Sequence, residues 1–136
     1  MNLNRGEIDR GKEKILNACM WRTAQEMEDL GGHLARPYTD LLLAWERDAR
    51  IMSLLHEGRR LYPTFQFDTN LEPIPIVAQI LERIGMDKDG WGVCAWFTFP
   101  NSWVSDRDNA YRPMDILDRE NDLLLAASHY RNSYIA

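Results

Sequence analysis

The stretch AYRPMDILDRENDLLLAASHYRN, residues 110–132, decides how the second half of the chain folds. Pro113 suits the first position of a short helical turn, because the N–H group that proline lacks would have no partner there. After this turn, apolar residues recur at helical spacing: Leu123, Ala126, Ala127, Tyr130 and Tyr134. The stretch therefore predicts a short turn that aims a final amphipathic helix.

Two further helices are predicted upstream of this turn. The first has a compact apolar face that ends at Gly85 and consists of Val77, Ile80, Leu81 and Ile84. Asp89 can cap the second, which Pro100-Asn101 ends. Aromatic residues crowd this segment, and we expect most of them in the core: Trp91, Trp96, Phe97, Phe99 and Trp103.

The first half begins with three predicted helices. The pattern from Glu7 to Met20 suits the first, and Thr23 followed by Glu26 is the capping-box arrangement that opens the second. Gly31-Gly32 can end that helix. Pro37 suits the first turn of the third, whose apolar face is Tyr38, Leu41, Leu42, Trp45 and Ala49.

A β-hairpin is predicted after these helices. Residues 50–55 and 61–67 suit two short strands around the turn-like sequence EGRR at 57–60, and residues 61, 63, 65 and 67 alternate as in a half-buried strand. Residues 68–70 and the spaced prolines Pro73 and Pro75 then form a linker. We therefore predict a mainly α fold with a small β-hairpin or wing, divided into residues 1–68 and 69–136.

Composition is that of an ordinary globular protein, with 45% hydrophobic and 27% charged residues. A chain of 136 residues can bury about two thirds of its unfolded surface, so it needs no metal or disulfide to fold. Cys19 and Cys94 lack CxxC spacing, which favours a reduced, cytoplasmic protein over one remote bridge. There is no apolar run of 18 residues, and the charged sequence MNLNRGEIDRGKEK does not suit a signal peptide, so we expect no membrane partner.

Net charge is −5, which argues against indiscriminate binding to nucleic acid. Residues 1–68 carry 10 Lys/Arg against 11 Asp/Glu, a net of −1, whereas residues 69–136 carry 6 against 10, a net of −4. If either half contacts DNA, the electrostatics favour the N-terminal one.

No catalytic or metal-binding constellation is recognisable. The three histidines, His33, His56 and His129, lack the spacing of a zinc site, and there is no GxSxG, P-loop or GxGxxG. Asp115 and Asp118 could share a proton, but solvated capping carboxylates are the simpler interpretation. Cys94 lies within GWGVCAWF, where apolar surroundings would raise its pKa and leave it inert. We expect a protein that is not an enzyme and binds no cofactor.

Three stretches in register resemble one family. They are YPTFQFD at 62–68, WGVCAWFTFPNSWV at 91–104, and YRPMDIL at 111–117 followed by LLLAA at 123–127. Together they resemble antitoxins of the Xre/MbcA/ParS type, which join a helix-turn-helix region to a C-terminal helical toxin-binding domain. The resemblance covers residues 62–130. Here Tyr111 replaces the family's usual glycine, and residues 105–110 carry extra charge.

The resemblance implies a partner, a RES-domain toxin that degrades NAD or a related ADP-ribosylating enzyme. It implies inhibition by occupation of the entrance to the toxin's active site with the C-terminal segment. The toxin contacts would then be Arg112, Asp115, His129, Tyr130, Arg131 and Tyr134. Arg112 could instead hold Asp115 or a carbonyl group and so fix the turn, and Tyr130 and Tyr134 could seal the chain's own core.

In the N-terminal half, residues 23–31 resemble the first helix of a helix-turn-helix, and WERDARI at 45–51 resembles the end of a recognition helix leading into a wing. Operator DNA would then be contacted by Arg36, Arg47, Arg50, Arg59 and Arg60. Acidic residues of the same helix, Asp40, Glu46 and Asp48, weigh against this, as phosphates repel them.

Several alternatives stay open at this point. The chain could be a winged-helix transcriptional regulator without a toxin partner, or a small helical adaptor. As an antitoxin it could also repress its own operon, either as a homodimer or as a hetero-oligomer with the toxin. A degenerate helix-turn-helix that serves only for oligomerisation is a further alternative.

Overall fold

The computed structural model describes residues 5–31 and 37–135, and among their side chains those of residues 9–31 and 37–130. Within these ranges the elements are α1 (Arg5–Ala18), β1 (Trp21–Arg22), α2 (Ala24–Gly31), α3 (Tyr38–Arg47), β2 (Leu54–His56), β3 (Arg59–Pro63), α4 (Pro75–Ile84), α5 (Trp91–Thr98) and α6 (Glu120–Ile135). Two 3-10 turns lie at Thr64–Gln66 and Pro113–Asp115. The prediction of a mainly α fold with a small antiparallel sheet is confirmed.

The helix α2 begins with the predicted capping box. The Glu26 carboxylate accepts the backbone N–H of Thr23 at 3.0 Å, and the Thr23 hydroxyl accepts the backbone N–H of Glu26 at 3.2 Å. Each side chain thus satisfies an N–H group that the first turn of a helix leaves without a partner. At the other end, a Cβ on Gly31 would lie 2.8 Å from the Tyr38 ring, so close packing there requires glycine.

The predicted face of α3 is buried at Tyr38, Leu42 and Trp45. Ala49 lies beyond the helix, with φ of 56°. The hairpin is also confirmed, since β2 and β3 pair antiparallel and the two residues between them, Glu57 and Gly58, have positive φ. The predicted bounds are wrong: Arg59 and Arg60 belong to β3 rather than to the turn, and β2 begins at Leu54 rather than at residue 50. The short strand β1 pairs with the other edge of β3, which gives the sheet order β1-β3-β2.

The prediction that the second strand continues to Phe67 is wrong, because β3 ends at Pro63. The chain then turns so that Gln66 is fully buried against the backbone of Met52. The Gln66 amide donates to the Met52 carbonyl oxygen and accepts from its N–H, each at 2.8 Å. One side chain thereby supplies both hydrogen bonds that a neighbouring strand would have supplied.

In the second half, α4 buries the whole predicted face from Val77 to Ile84 and ends at Gly85. The helix α5 is capped differently from the prediction. The carboxylate of Asp87, rather than that of Asp89, accepts the N–H groups of Gly92 and Val93 at 3.0 Å. Gly90, with φ of 80°, turns the chain directly before α5, and the N–H of Leu55 donates to the Asp89 carbonyl oxygen at 2.9 Å.

Two clusters of buried residues form the core. The smaller lies around α2, α3 and the hairpin, and its members are Met27, Tyr38, Leu42, Trp45, Ile51, Tyr62 and Phe67. The larger unites α4, α5 and α6 with Ile15, Met52 and Leu54 from the first half. The division at residue 68 stays a prediction. No helix in the described ranges is long and apolar enough to cross a membrane.

Most of the aromatic segment is core, as predicted. Trp96 and Phe97 are buried, with ring centroids 5.0 Å apart, and Trp91 and Phe99 pack partly buried against the larger cluster. Trp103 is the exception, with 55% of its surface exposed. An exposed tryptophan is unusual, because its large apolar ring stabilises a fold most when the ring is buried.

Candidate protein-interaction site

Arg112 fixes the turn that precedes α6. Its guanidinium group binds both oxygens of Asp115, at 2.7 and 3.1 Å, and donates to the carbonyl oxygen of Ala18 at 3.2 Å. The hydrogen bonds to Asp115 raise the pKa of Arg112. The bond to Ala18 reaches the last residue of α1. The expectation that Arg112 holds Asp115 or a carbonyl group is therefore confirmed, and Arg112 holds both.

The loop between α5 and this turn holds Trp103 in place. The N–H of Asn101 donates to the Tyr111 carbonyl oxygen at 2.9 Å and closes the base of the loop. The Asn101 side chain accepts the N–H of Trp103 at 2.9 Å, and the Ser105 hydroxyl donates to the Asn101 carbonyl oxygen at 2.7 Å. Buried Val104 anchors the loop from inside. An asparagine turn thus leaves Trp103 pointing outward.

The outward-facing Trp103 ring lies on His129 of α6. Their ring centroids are 3.6 Å apart and the ring planes differ by 3°, a parallel stack. This contact holds the indole against the helix, so its orientation is set by two separate elements. Leu125, one helical turn before His129, is 57% exposed and extends the apolar surface along the same face of α6.

An open pocket lies between this loop and α6. Its volume is about 280 Å³, and its lining includes Trp96, Asn101, Ser102, Trp103, Ala126 and Tyr130. We call it the Trp103 pocket. Its floor is rigid, because Trp96 and Ala126 belong to the larger core cluster. Its wall is Trp103. The position of α6 is fixed by Arg83 of α4, which donates a hydrogen bond to the Ser128 hydroxyl of α6 at 2.8 Å.

The segment that runs from the pocket loop to the start of α6 is acidic. Residues 101–122 carry six carboxylates and three arginines, a net charge of −3. Two of those arginines are already engaged within the chain, because Arg112 pairs with Asp115 and Arg119 pairs with Asp122 at 2.8 Å. The segment that joins the pocket loop to α6 is therefore negative, and its exposed carboxylates Asp106 and Asp108 lie in the same loop as Trp103.

The structure brings two of the six predicted toxin contacts to the Trp103 pocket: Tyr130 lines it, and His129 backs its wall. Arg112 and Asp115 hold the turn that leads to α6. Arg131 and Tyr134 fall within α6, but their side chains lie outside the described residues. The interaction itself stays a prediction for all six.

The predicted DNA contacts are spread over α3 and the hairpin, and Arg36 lies outside the described residues. Arg47 is 3.5 Å from Asp48, and Arg50 lies over the Trp45 ring. Arg60 donates to the Ser53 hydroxyl at 3.0 Å. Arg59 is exposed at the start of β3.

Glu46, one of the acidic residues that weighed against DNA binding, is used inside the fold. Its carboxylate accepts the Ser53 hydroxyl and, at 2.9 Å, the hydroxyl of Tyr62. Burial, together with Glu46, raises the pKa of Tyr62 well above its usual range. This network ties α3 to the hairpin, so Glu46 does not count as a free surface charge.

Both thiols have surroundings that suppress reactivity. Cys94 is buried, and burial raises the pKa of its thiol far above the ordinary value, as its apolar sequence context predicted. Burial raises the pKa of Cys19 to about 11, partly offset by Arg112. Within the described ranges, no three His, Cys, Asp or Glu residues are grouped so that they could hold a metal ion.

The sequence does not single out the pocket, because its pattern places Trp103 with the core aromatics. A usable signal was present. Trp103 follows Pro100-Asn101, where the helix ends, and precedes the charged residues 105–110, so it cannot continue the apolar face of α5.

Comparison of the chain with protein-family models, with curated proteins and with solved structures gives no match. Inference about function therefore depends on the residue patterns and on the geometry of this site.

Proposed function

We propose that the protein is an antitoxin of a type II toxin–antitoxin system that binds and inhibits a RES-type toxin, an enzyme that degrades NAD or transfers ADP-ribose. The observation that carries this proposal is the position of the Trp103 pocket. The described surface places an exposed, pre-oriented tryptophan beside α6, the helix that the sequence resemblance assigns to the toxin. Exposed aromatic rings beside a pocket are typical of protein–protein interfaces.

Inhibition would follow from blocking access rather than from chemistry. The turn held by Arg112 and Asp115 sets the start of α6, and the α4–α6 packing holds its first half. The later residues of α6, including His129, Tyr130, Arg131 and Tyr134, would then occupy the entrance to the toxin's active site. Aromatic and arginine side chains contribute most to the stability of such interfaces.

The test is to follow NAD loss by a RES-type toxin in the presence of the full chain and of a version that ends at Tyr130. We expect the full chain to block NAD loss and the shortened chain to block it poorly. The circular dichroism spectra and melting temperatures of both versions must match, so that misfolding is excluded. If both block equally, the residues after Tyr130 are not the inhibitory segment. If neither blocks nor binds the toxin, the antitoxin proposal is wrong.

A DNA-binding regulator of the winged-helix kind is the second candidate, and one observation favours it. The order α1–β1–α2–α3–β2–β3 with sheet order β1-β3-β2 resembles that of winged helix-turn-helix regulators, and on that interpretation α3 would be the recognition helix. The likeness concerns the order of helices and strands alone, and a fold does not determine a function.

The exposed face of α3 weighs against base recognition. Asp40, Leu43 and Arg47 share this face, and Leu43 is 64% exposed. Base edges are read mainly by Arg, Lys, Asn and Gln, and an aspartate is repelled by phosphate. If DNA binding nevertheless occurs, Arg59→Ala should weaken it and reduce the slope of affinity against salt. An unchanged slope would remove Arg59 from any interface.

A further inference from the structure

We propose that the Trp103 pocket receives one large apolar side chain of the partner protein, flanked in the partner by lysine or arginine. This inference rests on the proposed function, because it takes the partner to be the inhibited toxin. It adds a second contact between the two proteins, in which the direction of insertion is reversed. The tail of this chain enters the partner, and the partner inserts a side chain into this chain.

The size of the pocket points to a side chain. Small-molecule sites usually have volumes of about 300–1,000 Å³ and bury most of the ligand, whereas this pocket, at about 280 Å³, is as small as the smallest of them and is open, so it would not bury most of a ligand. Its lining combines the apolar side chains of Trp96, Trp103 and Ala126 with polar groups that include Asn101, Ser102 and Tyr130, and most of its exposed lining is polar. This lining suits an anchoring side chain that packs on the Trp103 ring while the polar groups bind the backbone beside it.

The wall of the pocket is ordered before any partner binds. Trp103 is held by the asparagine turn at Asn101 and by the stack on His129. Binding therefore does not require a loss of rotamer freedom at the residue with the largest contact area. Tryptophan residues in such settings often dominate the binding energy.

The charge of the loop that carries Trp103 distinguishes two candidate occupants of the pocket, a second copy of this chain and a basic partner. A second copy of this chain, docked through the same face, would place one segment of net charge −3 against another, which like-charge repulsion disfavours. A partner with basic residues beside its anchor would instead meet Asp106 and Asp108, which outnumber the one arginine of that loop, Arg107, while Arg112 and Arg119 pair with carboxylates within the chain. Charge complementarity therefore favours a basic partner segment.

The first test uses the full chain and three synthetic peptides. One has phenylalanine between lysine and arginine residues, the second replaces phenylalanine by alanine, and the third replaces the basic residues by glutamate. Binding is followed through the indole N–H resonances in 15N-labelled protein, with the Trp103 signal assigned from Trp103→Phe. We expect the first peptide to shift the Trp103 resonance and to bind roughly tenfold or more tightly than the other two.

Variants make the test specific. Trp103→Ala should weaken binding of the first peptide roughly tenfold or more, and Trp103→Phe should retain part of it. Asp108→Lys should weaken binding severalfold. Leu43→Ala, which removes a similarly exposed apolar side chain from α3, should leave binding unchanged. Equal binding of all three peptides, or binding unaffected by Trp103→Ala, would overturn the proposal.

An inhibition assay separates this inference from the proposed function. If the full chain inhibits a RES-type toxin and Trp103→Ala inhibits equally well at all concentrations, the antitoxin proposal stands and the pocket proposal fails. If Trp103→Ala weakens inhibition roughly tenfold and Leu43→Ala does not, the pocket proposal is supported. If the peptide binds at Trp103 and no toxin is bound, the anchor site is supported and its assignment to a toxin is wrong.

Discussion

Gly90 shows how one residue position can join two parts of the chain. Its φ is 80°, and a Cβ there would lie 1.8 Å from the carbonyl oxygen of Ser53. The backbone directly before α5 therefore packs against the backbone that leads into β2. Gly58, in the hairpin turn, has a similar φ of 76° but open space around it. The two glycines share a backbone requirement and differ in packing.

We expect Gly90→Ala to be far more destabilising than Gly58→Ala. For Gly58→Ala the positive φ alone should cost about 1–2 kcal/mol. Gly90→Ala adds a backbone clash that no side-chain rotation relieves, so the total should be roughly 3 kcal/mol or more. Urea unfolding of both variants measures the difference. Equal losses would show that the Ser53 backbone can move away without cost.

Among the elements, α2 depends on a single ionisable cap. The hydrogen bonds from Thr23 hold the pKa of Glu26 below its ordinary value of 4.5. A lowered folded pKa means that the ionised cap stabilises the fold above the unfolded pKa. This contribution is lost as the pH falls through the folded pKa.

We therefore expect Glu26→Gln to flatten the loss of stability between roughly pH 5 and pH 3, since an amide can accept the same N–H without titrating. Urea midpoints across this range measure the effect. Glu13→Gln, at an exposed glutamate of α1 outside any capping box, is the matched control. If both variants keep the steepness of the unmodified chain, the capping box does not contribute to its acid sensitivity.

Elements whose signals are local were predictable from the sequence. The Thr23 capping box, the hairpin turn at Gly58 and the apolar face that ends at Gly85 each depend on residues a few positions apart, and all are present in the structure. The cap of α5 and the end of β3 were mispredicted. The end of β3 depends on Gln66 meeting Met52, a contact between segments distant in sequence that spacing along the chain cannot reveal. The cap of α5 is local, but Asp87 and Asp89 both precede the helix and spacing does not decide between them.

The candidate site was predictable to a similar extent. The Arg112–Asp115 pair and the helix that carries Tyr130 follow from short-range patterns. The Trp103 pocket does not, because it forms only where the loop after α5 meets α6. The outward orientation of Trp103 depends on one asparagine hydrogen bond and one stacked histidine. From the sequence alone, an aromatic residue in this segment is assigned to the core.

At the scale of the whole molecule, the larger core cluster crosses the predicted boundary at residue 68. Ile15 of α1 and Met52 and Leu54 near β2 pack with residues of α4, α5 and α6. Arg112 adds a hydrogen bond to the end of α1. Residues of the first half therefore pack against the helices that carry the Trp103 pocket.

This packing predicts that a fragment of residues 69–136 unfolds at a lower urea concentration than the same region in the full chain, because burial of Ile15, Met52 and Leu54 is lost. Each buried aliphatic side chain contributes roughly 1.5–3 kcal/mol. Adding a fragment of residues 1–68 should restore part of the stability, which distinguishes lost packing from damage to the fragment itself. The Trp103 indole resonance reports the same transition at the pocket. If the isolated fragment unfolds at the same urea concentration as the full chain, with an unchanged Trp103 resonance, packing across the boundary adds nothing and residue 68 divides two independent domains.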